Sequence, residues 1–129
     1  IFNKEKCMPE MDIENNIKII SQPVSLLELK QTAKLIFGDM VKGVVDLEKK
    51  IMAIGGELHA DEEAFLMNHG SIQQNLWGVN LYPDRTFPEL VEFDSMINIR
   101  PRQNNRSRSV EDENTRKLIL KVIGDLIEK

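Results

Sequence analysis

The sequence predicts a single α+β domain: a four-stranded, mainly antiparallel sheet with helices packed on one face, in the order α-β-β-α-β-β-α. Three observations lead to this fold class. The chain has 129 residues, the size of one domain. Strong capping or periodicity signals predict one helix near residue 25 and another at the C-terminus. Two pairs of neighbouring β-prone segments lie between these helices, and such pairs favour an antiparallel sheet.

Composition narrows the class of protein. The net charge of −4 argues against a general nucleic-acid coat protein, which would be basic, but allows a local basic site. The single cysteine, Cys7, excludes an intrachain disulfide and fits a reducing compartment. No apolar run reaches membrane-spanning length, so we expect a cytoplasmic protein without membrane contact. Residues 1–16 are polar and lack a sustained period, so we expect a flexible or weakly docked segment before a domain at 17–129.

The first predicted helix has a clear start and a clear end. Ser25 and Glu28 form a capping box, and Gly38 is a natural C-terminal stop. Before this helix, the short apolar run at residues 17–21 can form an edge strand. We interpret this helix as structural.

Residues 41–56 resemble a β-hairpin, because two β-prone segments flank a charged turn. The hairpin ends at Gly55 and Gly56, and the sequence then predicts a short helix capped by Asp61 and running to about Asn68.

His59 stands between two carboxylates in this stretch. Glu57, His59 and Asp61 alternate, so on an extended backbone their side chains would point the same way and could bind a divalent metal. Many metal-free proteins contain this pattern. A hydrogen-bonded structural histidine is the simpler interpretation.

Residues 76–82 predict a third strand with Trp77, Val79 and Leu81 on one face. Gly78 lies beside this tryptophan. The glycine indicates close packing in the core, or a small shelf against which a ring could lie.

An arginine-rich loop at residues 100–109, between the last strand and the last helix, is the segment that most strongly indicates a binding site. Phe93, Ile97 and Ile99 alternate with polar residues, which predicts a half-buried strand ending near Pro101. After the loop, the C-terminal helix begins with Ser109 or Asp112 as its N-cap.

Guanidinium groups directly before a helix N-terminus have the general layout of an anion site. Pairing of the arginines with the acidic residues 111–113, or simple solvation, is the structural alternative. The predicted ligand-binding residues are His59, Asp94, Asn98, Arg100, Arg102, Asn105, Arg106 and Arg108.

Three sequence blocks resemble a small prokaryotic family known only as a domain of unknown function. They are GGELHAD, LWGVNLYP and FDSMINIRPRQNNRSRSVED. The resemblance covers the chain from about residue 17 onwards and implies one α+β domain. It implies no activity, cofactor or catalytic residue.

Three classes of function remain open. The first is a module that binds an anion, such as a phosphate-containing small molecule or RNA, through the arginine-rich loop. The second is a metal-dependent hydrolase or phosphotransfer enzyme, although the sequence contains no P-loop, GxSxG or HExxH motif. The third is a homo-oligomeric interaction protein, for example a homodimer, without catalysis.

Overall fold

The computed structural model describes residues 16–128 and confirms an α+β fold with an antiparallel sheet. The described sheet has the order β1-β3-β2-β4-β5. The strands are β1 (Lys18–Ile20), β2 (Val41–Asp46), β3 (Ile51–Ile54), β4 (Leu76–Leu81) and β5 (Val91–Glu92). The helices are α1 (Leu26–Ile36), α2 (His59–Asn68) and α3 (Glu113–Leu126). The sheet has five strands rather than four, because the apolar run at residues 17–21 forms the edge strand β1.

Two helix starts follow their capping signals. The Ser25 side chain accepts a hydrogen bond from the Glu28 backbone N–H, and α1 begins at the next residue. The Asp112 side chain accepts one from the Thr115 backbone N–H, and α3 begins at Glu113. The predicted hairpin is also present, with β2 paired to β3.

The helices α1 and α3 cover one side of the sheet, which we call the first face. Its core is almost entirely aliphatic, with Leu29 and Ala33 from α1 and Ile119 and Ile123 from α3. The strands contribute Val41, Val45, Met52, Ile54, Trp77, Val79 and Leu81 to the same core.

The helix α2 packs on the opposite side, the second face, so the prediction that all helices share one face is wrong. Its Leu66 joins Val44, Ala53 and Leu76 in a smaller apolar cluster. The physical reason is that β4 is buried along its whole length. A central strand that is apolar on both sides must be covered on both sides.

The predicted strand from residue 92 to residue 100 is also wrong. The strand β5 ends at Glu92, and a 3-10 turn at Met96–Asn98 follows, with the Ser95 side chain accepting from the Ile97 N–H. The Asn98 side chain takes the place of a strand at the edge of β4: it accepts from Gly78 N at 2.9 Å and donates to Gly78 O at 3.0 Å. One amide thus satisfies both backbone groups that a paired strand would satisfy.

Gly78 is packed rather than open. A Cβ atom there would lie 2.6 Å from the Ser95 Cβ, so the space that a ligand ring would need is filled by Ser95. Close packing explains this glycine.

The prediction about the N-terminal segment, which includes Cys7, falls on residues 1–15. These residues lie outside the described part of the chain. Within residues 16–128 the longest helices are too short or too polar to cross a membrane.

Candidate functional site

Asn105 holds the arginine-rich loop in one conformation. Its side chain is 3% exposed and donates hydrogen bonds to the carbonyls of Asn98, Ser107 and Ser109 at 2.7–3.1 Å. Its Oδ1 accepts from Glu111 N at 2.8 Å. All hydrogen-bonding groups of this amide are therefore occupied within the protein, and Asn105 and the similarly buried Asn98 support the loop from inside.

Arg100 is a structural residue of the same loop. Its guanidinium lies 4.9 Å from the centre of the Trp77 ring, donates to the Leu76 carbonyl at 2.5 Å and pairs with Glu63 at 3.3 Å. Burial lowers the pKa of Arg100, and the charge of Glu63 acts in the opposite direction. The side chain thus joins the loop to β4 and α2, and its Nε and Nη1 donate to Ile97 O and Gln103 Oε1 nearby in the chain.

The other three arginines of the loop do not share the contacts of Arg100. Arg102 and Arg106 are exposed, and within residues 16–128 neither guanidinium has a hydrogen-bond or ion-pair partner. Arg108 donates from Nε to Asp94 Oδ1 at 2.6 Å. The acidic residues after the loop have other roles, since Glu111 accepts from the backbone N–H of Arg106 and Asp112 caps α3.

His59 is the first residue of α2 and lies against the sheet. It is 7% exposed, and its Nε2 is 2.8 Å from the carbonyl oxygen of Val79. Burial lowers the pKa of His59 to about 4, while the hydrogen bond to Val79 acts to raise it. At neutral pH the ring is therefore uncharged, and Nε2–H is the donor to Val79.

A chain of contacts joins His59 to two cations. Asn80 follows Val79 and lies directly opposite Lys42 in the β2–β4 register. Its Nδ2 donates to the Asp94 carbonyl at 3.2 Å, and the Asp94 side chain holds Arg108. The charges of Lys42 and Arg108 both lower the pKa of His59, and the charge of Asp94 raises it. We call Lys42, His59, Glu62, Asn80, Asp94 and Arg108 the His59 cluster.

Glu62 is the most unusual member of this cluster. It is fully buried one helical turn after His59, and its Oε2 accepts from Gly56 N at 2.9 Å. A Cβ on Gly56 would lie 2.8 Å from the Glu62 Cγ, so only glycine fits there. Burial raises the pKa of Glu62 well above its usual value, although the Gly56 hydrogen bond and the Lys42 charge act to lower it.

The cluster includes His59, the first residue of α2, and the N-terminus of this helix has no side-chain cap. Leu58 occupies the N-cap position and cannot accept a hydrogen bond with its side chain. The first backbone N–H groups of a helix have no partner within the helix, and the helix dipole makes this end positive.

The sequence hypothesis about His59 needs one correction. Glu57, His59 and Asp61 do not alternate on an extended backbone, because α2 begins at His59 instead of being capped by Asp61. Within residues 16–128 no three His, Cys, Asp or Glu side chains are placed to hold a metal ion.

Sequence reasoning also missed Lys42 and Glu62 as members of a site. Starting the helix three residues earlier would have placed His59 and Glu62 on one face, because residues three apart in a helix are neighbours.

Comparison with known proteins gives a family. The sequence matches the model of a family described as "Protein of unknown function (DUF5674)" over residues 18–126, which confirms the resemblance to a family of unknown function. No curated protein and no solved structure matches the chain.

Proposed function

Because the chain belongs to this family of proteins of unknown function (DUF5674), whose description names no activity, we propose from the geometry that it is a module that binds a small anion at the His59 cluster. The ligand class is a phosphate or carboxylate. This proposal keeps the anion of the sequence hypothesis but moves its site from the whole arginine-rich loop to the N-terminus of α2.

The observation that carries the proposal is the meeting of three positive features in one place. The uncapped start of α2 supplies backbone N–H groups, and the charges of Lys42 on β2 and Arg108 on the loop both act on His59, the first residue of α2. Helix N-termini with nearby cations are ready-made anion sites. Lys42 has no ion-pair partner within residues 16–128, and its ammonium lies 5.4 Å from the centre of the Phe37 ring.

The carboxylates around the site limit its strength but do not cancel it. Asp94 accepts from Arg108 Nε and so fixes the direction of the guanidinium, whose two terminal nitrogens have no hydrogen-bond partner among residues 16–128. Glu62 is buried, and burial raises the pKa of its carboxyl, which favours the uncharged form. Asp61 in the first turn of α2 remains an opposing charge, so we expect modest affinity.

Calorimetric titration with inorganic phosphate tests this function. We expect Lys42→Gln and Arg108→Gln each to weaken phosphate binding about tenfold, because each removes one charged donor. The matched control is the double variant Arg102→Gln/Arg106→Gln, which removes two charges from the same loop but none from the cluster. It is expected to change the affinity less than about twofold.

Two results would contradict the proposal. One is the absence of phosphate binding by the wild-type protein. The other is a reversed pattern, in which the control variant loses binding and the cluster variants keep it.

The second candidate function, contact with RNA phosphates, is favoured by the exposure of Arg102 and Arg106 on a loop held rigid by Asn105. A short RNA would then bind with a steep salt dependence that the Arg102→Gln/Arg106→Gln variant reduces.

A further inference from the structure

A cleft of about 530 Å³ lies between the start of α1, the end of α3 and the loop that connects β4 to β5. Most of its lining is apolar: Leu90 and Ile127 are buried, while Leu26 and Phe87 remain partly exposed. Its volume falls within the range of roughly 300–1,000 Å³ that is usual for small-molecule sites. None of its described lining residues belongs to the His59 cluster, so the cleft is a separate place in the molecule.

Gly124 gives the Phe87 ring its place beside α3. A Cβ atom on Gly124 would lie 3.3 Å from Phe87 Cζ, so a larger residue would push the ring away from the helix. Glycine inside a helix is less favourable than alanine by about 1 kcal/mol. Phe87 nevertheless stays 41% exposed. The ring therefore packs on α3 with part of its surface and presents the rest to solvent.

Backbone hydrogen bonds hold the walls of the cleft in place without a ligand. Four of them, 2.8–3.0 Å long, connect residues within the segment 82–91 that carries Phe87. On the other side, Val24 N donates to Leu126 O at 2.9 Å and Glu128 N donates to Val24 O at 2.8 Å. These two bonds join the segment before α1 to the end of α3. The cleft is therefore preformed, and a ligand would bind without first ordering the chain.

The charged residues of the described lining balance one another. They are two cations, Lys30 and Arg85, and two anions, Asp84 and Glu128. Lys30 pairs with Asp84 at 3.6 Å, and the Arg85 guanidinium lies 3.9 Å from the centre of the Tyr82 ring. Burial of an ionised group without a partner is unfavourable, so this lining favours a ligand that has no charge.

We propose that this cleft binds an uncharged, largely apolar small molecule whose aromatic ring packs against Phe87. Aromatic rings stabilise one another in stacked or edge-to-face arrangements beyond the burial of their area, which is the reason for an aromatic ligand. The inference goes beyond the anion site and does not depend on it, because the two sites share no residue.

Two fluorescent probes with one ring system test the proposed chemistry. N-phenyl-1-naphthylamine is uncharged, whereas 1-anilinonaphthalene-8-sulfonate carries a sulfonate, and the fluorescence of both rises in apolar surroundings. Titration of the full chain should show saturable binding of the uncharged probe at one site per chain. We expect it to bind about tenfold more tightly than the sulfonate, because the lining has no surplus positive charge to offset removal of the sulfonate from water.

A matched pair of phenylalanine variants assigns the binding to the cleft. Phe87→Ala removes the exposed ring and should weaken binding of the uncharged probe about tenfold. Phe37→Ala is the control, because Phe37 is 40% exposed at the end of α1 and does not line the cleft. It should change the affinity less than about twofold.

A second pair of variants places a charge in the lining. Leu26→Glu should weaken binding of the uncharged probe more than about tenfold, because the carboxylate must be removed from water when the ligand binds. Leu26 is the first residue of α1, where the helix dipole favours an acidic residue, so we expect this variant to fold. Leu35→Glu is the control on the same helix, since Leu35 is 81% exposed and lies outside the cleft. Circular dichroism verifies that each variant is folded.

The outcomes separate this inference from the anion site. Saturable binding that is lost in both cleft variants and kept in both controls supports the inference. Absence of saturable binding of the uncharged probe overturns it, as does an equal loss in cleft and control variants or tighter binding of the sulfonate. Phosphate affinity should remain unchanged in Phe87→Ala, so the proposed function stands or fails independently in the phosphate titration.

Discussion

The two faces of the sheet differ in what they bury. Beneath α1 and α3, the first face buries aliphatic side chains such as Leu29, Val45 and Ile123. The second face buries a smaller apolar cluster together with His59, Glu62 and other polar residues. Aliphatic burial stabilises a fold, whereas burial of ionisable groups opposes it. The first face therefore maintains the fold, and the polar burial on the second face is what our proposal of a ligand site there would explain.

The largest expected change in the free energy of unfolding comes from a substitution on the first face. Leu29 is completely buried, so Leu29→Ala should lower the free energy of unfolding by about 4 kcal/mol through lost burial and a cavity. Urea denaturation measures this loss. Phosphate affinity per folded molecule should stay within twofold of wild type. A large loss of affinity in folded protein would show that the two faces are not separate in function.

The next effect concerns His59 and pH. Its folded pKa of about 4 lies below the ordinary value of 6.5, so protonation favours the unfolded chain. The stability that neutral His59 provides is fully present above pH 6.5 and is lost as the pH falls towards 4, by about 3 kcal/mol.

His59→Gln isolates this contribution, because glutamine can still donate to the Val79 carbonyl but does not titrate. Urea denaturation at pH 7 and pH 4 should show a smaller loss in the variant than in wild type. Equal losses in the two proteins would mean that His59 is not buried in its neutral form.

The smallest expected effect concerns Glu62, whose contribution to stability depends on pH in the opposite direction to that of His59. The folded pKa of Glu62 is raised, so its contribution to stability is present below pH 4.5 and is lost as the pH rises. Glu62→Gln removes the titrating group and keeps an oxygen for Gly56 N. We expect it to stabilise the protein on the order of 1 kcal/mol at pH 8 and to have little effect at pH 4.

Thermal unfolding of Glu62→Gln and wild type at these two pH values measures the gain. Destabilisation by Glu62→Gln at pH 8 would show that the carboxylate is a structural anchor and would weaken the argument that the second face is arranged for a ligand.

Local signals in the sequence predicted a large part of the fold. The caps Ser25 and Asp112 depend on side chains within three residues, and the alternation around Trp77 depends on one strand. The position of α2 could not be predicted in this way, because covering the second face is a property of the whole sheet. Alternation also predicted a strand beyond Glu92 that the Asn98 side chain replaces through a contact twenty residues away along the chain.

The candidate site was only partly predictable for a similar reason. Counting arginines identified the loop, but the count could not show that Arg100 is used against Trp77 and Glu63. His59, Asp94 and Arg108 were predicted, and the structure joins them through Asn80. Lys42 and Glu62 come from distant segments, and only folding brings them to His59.

A titration of ¹⁵N-labelled protein with inorganic phosphate, followed by two-dimensional NMR, tests the central claim most directly. The account predicts that the largest shifts occur at the backbone amides of His59 and Ala60, with accompanying shifts near Lys42 and Arg108. Shifts confined to residues 102–106, or none at any phosphate concentration, would contradict an anion site at the start of α2.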